Sequence, residues 1–139
     1  MEGKRRTASL SRYNWAEAVN NRDVVWLWIG LGVTMVLSLA IAGLALSPQD
    51  AVGGLAGSDK LHHVLAFAVL AFPIPLVRPS WAIWVAIAVV AYGGAIELIQ
   101  PAFGRHAEFL DFVADSIGAV IGAGLGFALS RYAMPDGKE

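Results

Sequence analysis

The chain has 139 residues, 57% of them apolar and only 15% charged, with a mean hydropathy of +0.60. Soluble domains carry about a quarter charged residues, so this composition belongs to a membrane protein with room for one small helical bundle. A net charge of -1 gives no bulk attraction to nucleic acid, and the absence of cysteine excludes disulfides and thiolate chemistry.

Residues 1–23 are polar and basic, with Lys4, Arg5, Arg6, Arg12 and Arg22. They read as a cytoplasmic N-terminal segment, partly disordered, with a weak surface-helix pattern around Leu10, Trp15 and Val19. Arg5-Arg6 hints at a twin-arginine signal. However, the apolar run from Val24 to Leu46 is 23 residues long, well beyond the ~7–15 residues of a signal-peptide core. The run is expected to stay as a first span, since it can cross a hydrocarbon layer of about 30 Å at 1.5 Å per residue. Trp26 and Trp28 stand at its start, where amphipathic rings favour the headgroup level.

Pro48, Gly53, Gly54 and Gly57 mark a loop, and Ser58-Asp59 is a candidate N-cap for the next helix. The second span covers about Lys60 to Val77, interrupted near its far end by Pro73 and Pro75. Arg78-Pro79-Ser80 makes a tight connection, so spans two and three are expected to be antiparallel neighbours. The third span runs from Trp81 to about Ile99, with Trp81 and Trp84 at its entry, and Pro101 and Gly104 end it. The fourth runs from about Phe109 to Ser130. This gives an all-α polytopic bundle of four transmembrane helices over residues 24–131 and a short cytoplasmic tail over 132–139.

Orientation follows from the cations. With the N-terminus inside, Lys4, Arg5, Arg6, Arg12, Arg22, Arg78, Arg131 and Lys138 are cytoplasmic, and only Lys60 and Arg105 are outside. The N-in/C-in topology brings the start of span two, the end of span three and the start of span four to one outer surface. Asp59, Lys60, His62 and His63 can therefore meet Glu97 and Gln100, together with Arg105, Asp111 and Asp115. Glu97 and Gln100 are i, i+3 and Asp111 and Asp115 are i, i+4, so each pair shares a helix face. Continuing the Asp face inward gives Gly118, Gly122 and Gly126, whose small size lets helix backbones approach closely.

Ionisable residues at membrane helix ends are costly to keep, which makes the cluster a functional-site candidate. Two carboxylates one turn apart repel when both are ionised, so a cation, a histidinium or a shared proton must offset them. A structural clasp, with Arg105 and Lys60 neutralising the acids, is the plain alternative to a binding site. His62 and His63 point to different faces, so one of them reaches the cluster, and His106 lies in an exposed loop. His63 is the candidate general base and Glu97 a carboxylate to orient it. His63, Glu97, Asp111 and Asp115 are acceptable metal ligands by type, but no recognised ligand spacing joins them, and no metal or other cofactor is assigned. Ser58 and Ser116 have no nucleophile motif around them, and Gly122-Ala123-Gly124 lies inside a membrane helix, not in a phosphate loop.

These residues resemble the VanZ-like family of small bacterial integral membrane proteins. The matching pieces are Asp59-Lys60-x-x-His63, then Glu97-x-x-Gln100, then Arg105, then Asp111-x-x-x-Asp115-x-x-Gly118 with Gly122 following, across roughly residues 24–130. The family pattern often has Asn where Asp115 stands, so the site here is more acidic. The resemblance implies a cell-envelope role and a shared outer-face site. The name-giving member is associated with low-level resistance to the glycopeptide teicoplanin, and the resemblance supplies no reaction.

The expected protein lies in the bacterial inner membrane and binds an envelope ligand, a lipid-linked precursor or a glycopeptide-related molecule, at an outward-facing polar site. Lys60, Gln100, Arg105, Asp111 and Asp115 would contact it. The alternative is a non-catalytic accessory subunit of a larger membrane complex, with the glycine seam and apolar faces as partner contacts. A transporter would need polar groups continuing across the bilayer, and spans three and four offer almost none.

Overall fold

The computed structural model describes residues 21–47 and 59–133. The basic N-terminal segment, the glycine-containing loop with Ser58, and most of the C-terminal tail lie outside the described residues. Five α-helices build four membrane-length spans: α1 (Asn21–Ala45), α2 (Asp59–Ala71), α3 (Pro73–Val77), α4 (Ala82–Ile99) and α5 (Phe109–Ala133). The protein is an all-α polytopic bundle.

The second span is two helices in series. Pro73 begins α3 in its first turn, where a missing backbone N–H leaves no bond unmade. Pro75 also falls among the first N–H positions of that helix, so neither ring breaks it. Leu76 then restores helical bonding by donating to the Phe72 carbonyl at 3.3 Å. A 3-10 turn over Pro79–Trp81 leads into α4, and a second over Gln100–Phe103 leaves it. That second turn stops at Gly104, whose φ of +74° favours a residue without a Cβ.

The centre of the bundle is α5. Spans two and three touch each other lightly, through Phe67 and Tyr92 with ring centroids 6.2 Å apart, while both pack extensively on α5. The expectation of a neighbouring pair is met only in this reduced form, because the glycine face of α5 takes the closest position against α2. A Cβ on Gly118 would overlap the Val64 carbonyl, and one on Gly122 the Ala68 carbonyl. One on Gly126 would stand 2.5 Å from the Phe72 carbonyl. Both helices advance by four residues at each contact, in the same direction, so α2 and α5 form a parallel pair in register. Phe67, Leu70, Val85, Val89, Ile96 and Ala119 fill the core around this seam.

The first helix, α1, is the most peripheral span. It packs mainly on α3, where Gly30 approaches Val77 and the Pro73 carbonyl. Two polar contacts also tie it to the third span: the Tyr92 hydroxyl donates to the Ser38 carbonyl, and Gln100 Nε2 donates to the Ala45 carbonyl at 3.3 Å. One end of the bundle carries Arg78 over the Trp81 ring and Arg131 over the Phe127 ring. The other end gathers the acids.

Replacing Gly122 by Ala is expected to lower stability by about 1–3 kcal/mol through overpacking against the α2 backbone. Gly124 faces open space, so Gly124→Ala should be neutral or raise stability by up to ~1 kcal/mol. Equilibrium unfolding in mixed detergent compares the two directly. Equal stability of both variants would remove the close α2–α5 approach.

Candidate functional site

The site stands at the end of the bundle where α2 and α5 begin and α4 ends. Helix N-termini expose unpaired N–H groups and a positive dipole end, which favours acids in the first turn. Asp59 opens α2 and Asp111 lies in the first turn of α5. The parallel register then brings each acid of α5 opposite a cationic or titratable partner on α2.

The Lys60 ammonium bonds Asp111 Oδ1, bonds Glu108 Oε2 at 2.7 Å, and lies 3.9 Å from Asp59. Lys60 is thus shared among three carboxylates. One turn deeper, His63 Nδ1 is 2.8 Å from Asp115 Oδ1, and the Asp115 residue is only 1% exposed. An ionised carboxylate only accepts, so the ring nitrogen carries the proton and donates to it. The other ring nitrogen, Nε2, lies 3.7 Å from Asp111 Oδ2 and 4.0 Å from Asp59 Oδ1. Gly93 on α4 gives Asp115 its room: a Cβ there would stand 3.0 Å from Asp115 Oδ2 and 2.9 Å from the Phe67 ring.

Glu97 has a different local task. Its Oε2 accepts the Glu108 N–H at 2.9 Å, which satisfies a free donor just ahead of α5. Its Oε1 is buried with no partner among the described residues. Gln100 and Arg105 turn toward the end of α1, where Arg105 donates to the Ser47 carbonyl at 3.4 Å. Gln100 Oε1 and Arg105 Nε are also buried without partners among the described residues.

Lys60, His63, Asp111 and Asp115 are therefore in one contact network, with Glu97 beside it. Arg105 makes no ion pair with these acids among the described residues, so the neutralising cation of the cluster is Lys60. His62 and His106 are exposed. The glycines at 118, 122 and 126 continue the same face into the seam.

One residue, Glu108, gains a part that the sequence did not assign. Glu108 sits in the loop before α5, outside any periodic pattern; only its place one residue ahead of the helix marks it. Asp59, already expected at this cluster, adds to its N-cap position a carboxylate that faces both Lys60 and His63. A groove of about 760 Å³ also opens between α4 and α5, lined by Val90, Gly94, Leu98, Phe109 and Phe112 and reaching Glu97 and Glu108.

A family model described as VanZ/LLP1 matches residues 7–130. No curated protein and no solved structure matches the chain.

Hydrogen bonding and charge from Lys60 hold the exposed Glu108 carboxyl below the usual carboxylate range. A depressed folded value makes this pair stabilising above the ordinary carboxylate pKa of about 4.3, and the contribution fades as pH falls through the folded value. Glu108→Gln should melt slightly below wild type at pH 7, with the gap closing below about pH 4. Lys60→Met should cost more, about 1–3 kcal/mol, because Asp111 is buried while Lys60 itself is partly screened by solvent. Melting curves across pH check both. A Lys60→Met loss no greater than that of Glu108→Gln would contradict the arrangement.

Proposed function

The chain belongs to the VanZ/LLP1 family, and from that premise we propose that its polar cluster binds the headgroup of a lipid-linked cell-envelope molecule. The observation that carries this reading is that three of the buried polar atoms without partners among the described residues lie at this end of the bundle: Glu97 Oε1, Gln100 Oε1 and Arg105 Nε. Buried polar groups are nearly always hydrogen-bonded, and an unmet one costs about 1–3 kcal/mol. Two acceptors and one donor of this kind suit a ligand that offers hydroxyls or amides to Glu97 and Gln100 and an anionic oxygen to Arg105. A sugar phosphate has those groups.

The apolar groove supports a lipid-linked form. It leads from Glu97 and Glu108 along α4 and α5 into the apolar zone, so a ligand with its head at the cluster could lay its chain there without leaving the bilayer. On the positive-inside rule, the Arg78 and Arg131 end faces the cytoplasm and the acidic end faces outward, with the protein in the inner membrane. The site then opens to the compartment where envelope polymers are built.

A clasp role explains less. Lys60 and His63 already answer Asp111 and Asp115, and a clasp gives no use to three further buried polar atoms that have no partner among the described residues. An accessory-subunit role predicts instead that the polar residues tolerate substitution.

Thermal melting in detergent, with and without lipid-linked sugar phosphates, tests the proposal. Wild type should rise with ligand, by the equivalent of about 2.7 kcal/mol at a hundredfold excess over Kd. Glu97→Gln and Arg105→Ala should fold and lose most of that rise. Ala91→Phe, which narrows the groove from an exposed position, should weaken the response to the lipid-linked form and spare that to the free headgroup. No rise with any precursor in wild type, or an undiminished rise in Arg105→Ala, would sink the reading.

A further inference from the structure

Three donor atoms at the cluster are close together without bonding one another. One atom each from Asp59, His63 and Asp111 lie within 4.8 Å of one another. The His63 Nε2 separations of 3.7 Å to Asp111 Oδ2 and 4.0 Å to Asp59 Oδ1 are too long for hydrogen bonds. They are close to what an ion brackets. Bonds of ~2.0–2.2 Å in tetrahedral geometry put donors roughly 3.3 Å apart, within reach of modest side-chain rotation.

The rest of the histidine is arranged in the same sense. Its Nδ1 is committed to the buried Asp115 carboxylate at 2.8 Å. With the proton on Nδ1, Nε2 bears the lone pair, and it is Nε2 that faces Asp59 and Asp111. A metal-bound imidazole typically donates its second nitrogen to a carboxylate in this manner, which fixes the ring and raises its basicity.

A second observation is independent of these three donors. Glu97 is 7% exposed and its Oε1 has no partner among the described residues. Charge counting agrees. Asp59, Glu97, Glu108, Asp111 and Asp115 share this end of the bundle, and the Lys60 ammonium pairs with three of them, Asp59, Glu108 and Asp111. Because Lys60 takes Oδ1 of Asp111, Oδ2 is left available.

We propose that Asp59, His63 and Asp111 hold a divalent first-row transition-metal ion, Zn²⁺ or Mn²⁺, with Asp115 as the residue that positions His63. An imidazole with two carboxylates suits these ions better than the all-oxygen sites of Ca²⁺ and Mg²⁺. Three protein donors leave coordination open to water or to a ligand oxygen. The inference rests on reading the cluster as a binding site and deepens it, since an ion there would receive a phosphate or hydroxyl oxygen of the headgroup.

The test uses full-length protein in detergent, stripped with a chelator and free of added lipid. Zn²⁺ binding is measured by equilibrium dialysis and Mn²⁺ binding by electron paramagnetic resonance titration. Wild type should bind about one ion per chain. Asp59→Asn alters an exposed side chain, so it should keep the fold and bind at least about tenfold more weakly, as should Asp111→Asn; His63→Ala should abolish binding. Asp115→Asn should lose about 10–100-fold in affinity, and His62→Ala should lose none. Circular dichroism and gel filtration identify any variant that has unfolded. Absence of stoichiometric binding by wild type, or wild-type affinity in both Asp59→Asn and Asp111→Asn, would overturn the proposal. The two readings fail separately. An ion bound by a protein that answers no precursor keeps the metal site and removes the lipid reading; a precursor response in chelated protein that binds no ion does the reverse.

Discussion

The close parallel contact between α2 and α5 sets the geometry of everything else. Apolar side chains gain little from leaving lipid for protein, so helices in a bilayer associate through fine packing of backbones at small residues. Here the contacts Gly118–Val64, Gly122–Ala68 and Gly126–Phe72 repeat at four-residue steps on both helices. The polar contacts lie outward of that seam on the same two helices, His63 with Asp115 and Lys60 with Asp111. A slip of one residue along the seam would separate every one of these pairs together. Packing and site share one pair of helices.

That pairing also explains how buried carboxylates are tolerated. Bringing an ion out of water is expensive unless it is paired and hydrogen-bonded. Asp111 has the Lys60 ammonium and the N-terminal turn of its own helix, and Asp115 has the His63 N–H. Glu97 is held by the backbone N–H of Glu108, which joins the end of α4 to the start of α5. Each acid has an answer on a different element, so the cluster fastens three spans while leaving particular lone pairs unused.

Much of this was legible in the chain because membrane sequences are strongly constrained. Length, hydropathy and proline placement located all four spans, and the structure has the four membrane-length helices. The four-residue period from Asp111 to Gly126 marked one face of one helix, and the even number of crossings put the polar ends together. What periodicity cannot carry is pair choice. Lys60 and Arg105 are equally basic in the sequence, yet Lys60 meets three carboxylates and Arg105 turns to the Ser47 carbonyl. Glu108 was passed over because a loop residue has no face to be read from. The central position of α5 was hidden too: a short connection suggests which helices are neighbours, but the depth of a glycine face decides which are closest.

Asp115 shows most sharply how one residue links fold to chemistry. Gly93 leaves space for its carboxylate on one side, and His63 takes its Oδ1 on the other. An amide at this place could also accept a proton from Nδ1. An amide would fix the same tautomer without the charge. The carboxylate adds a buried negative charge beside the ring, which the amide would not. The same charge would be a burden if the site only held helices together, because an amide gives the hydrogen bond at less desolvation. A buried aspartate at position 115 therefore carries a desolvation cost that an amide would avoid, and the His63 N–H is the group that offsets it.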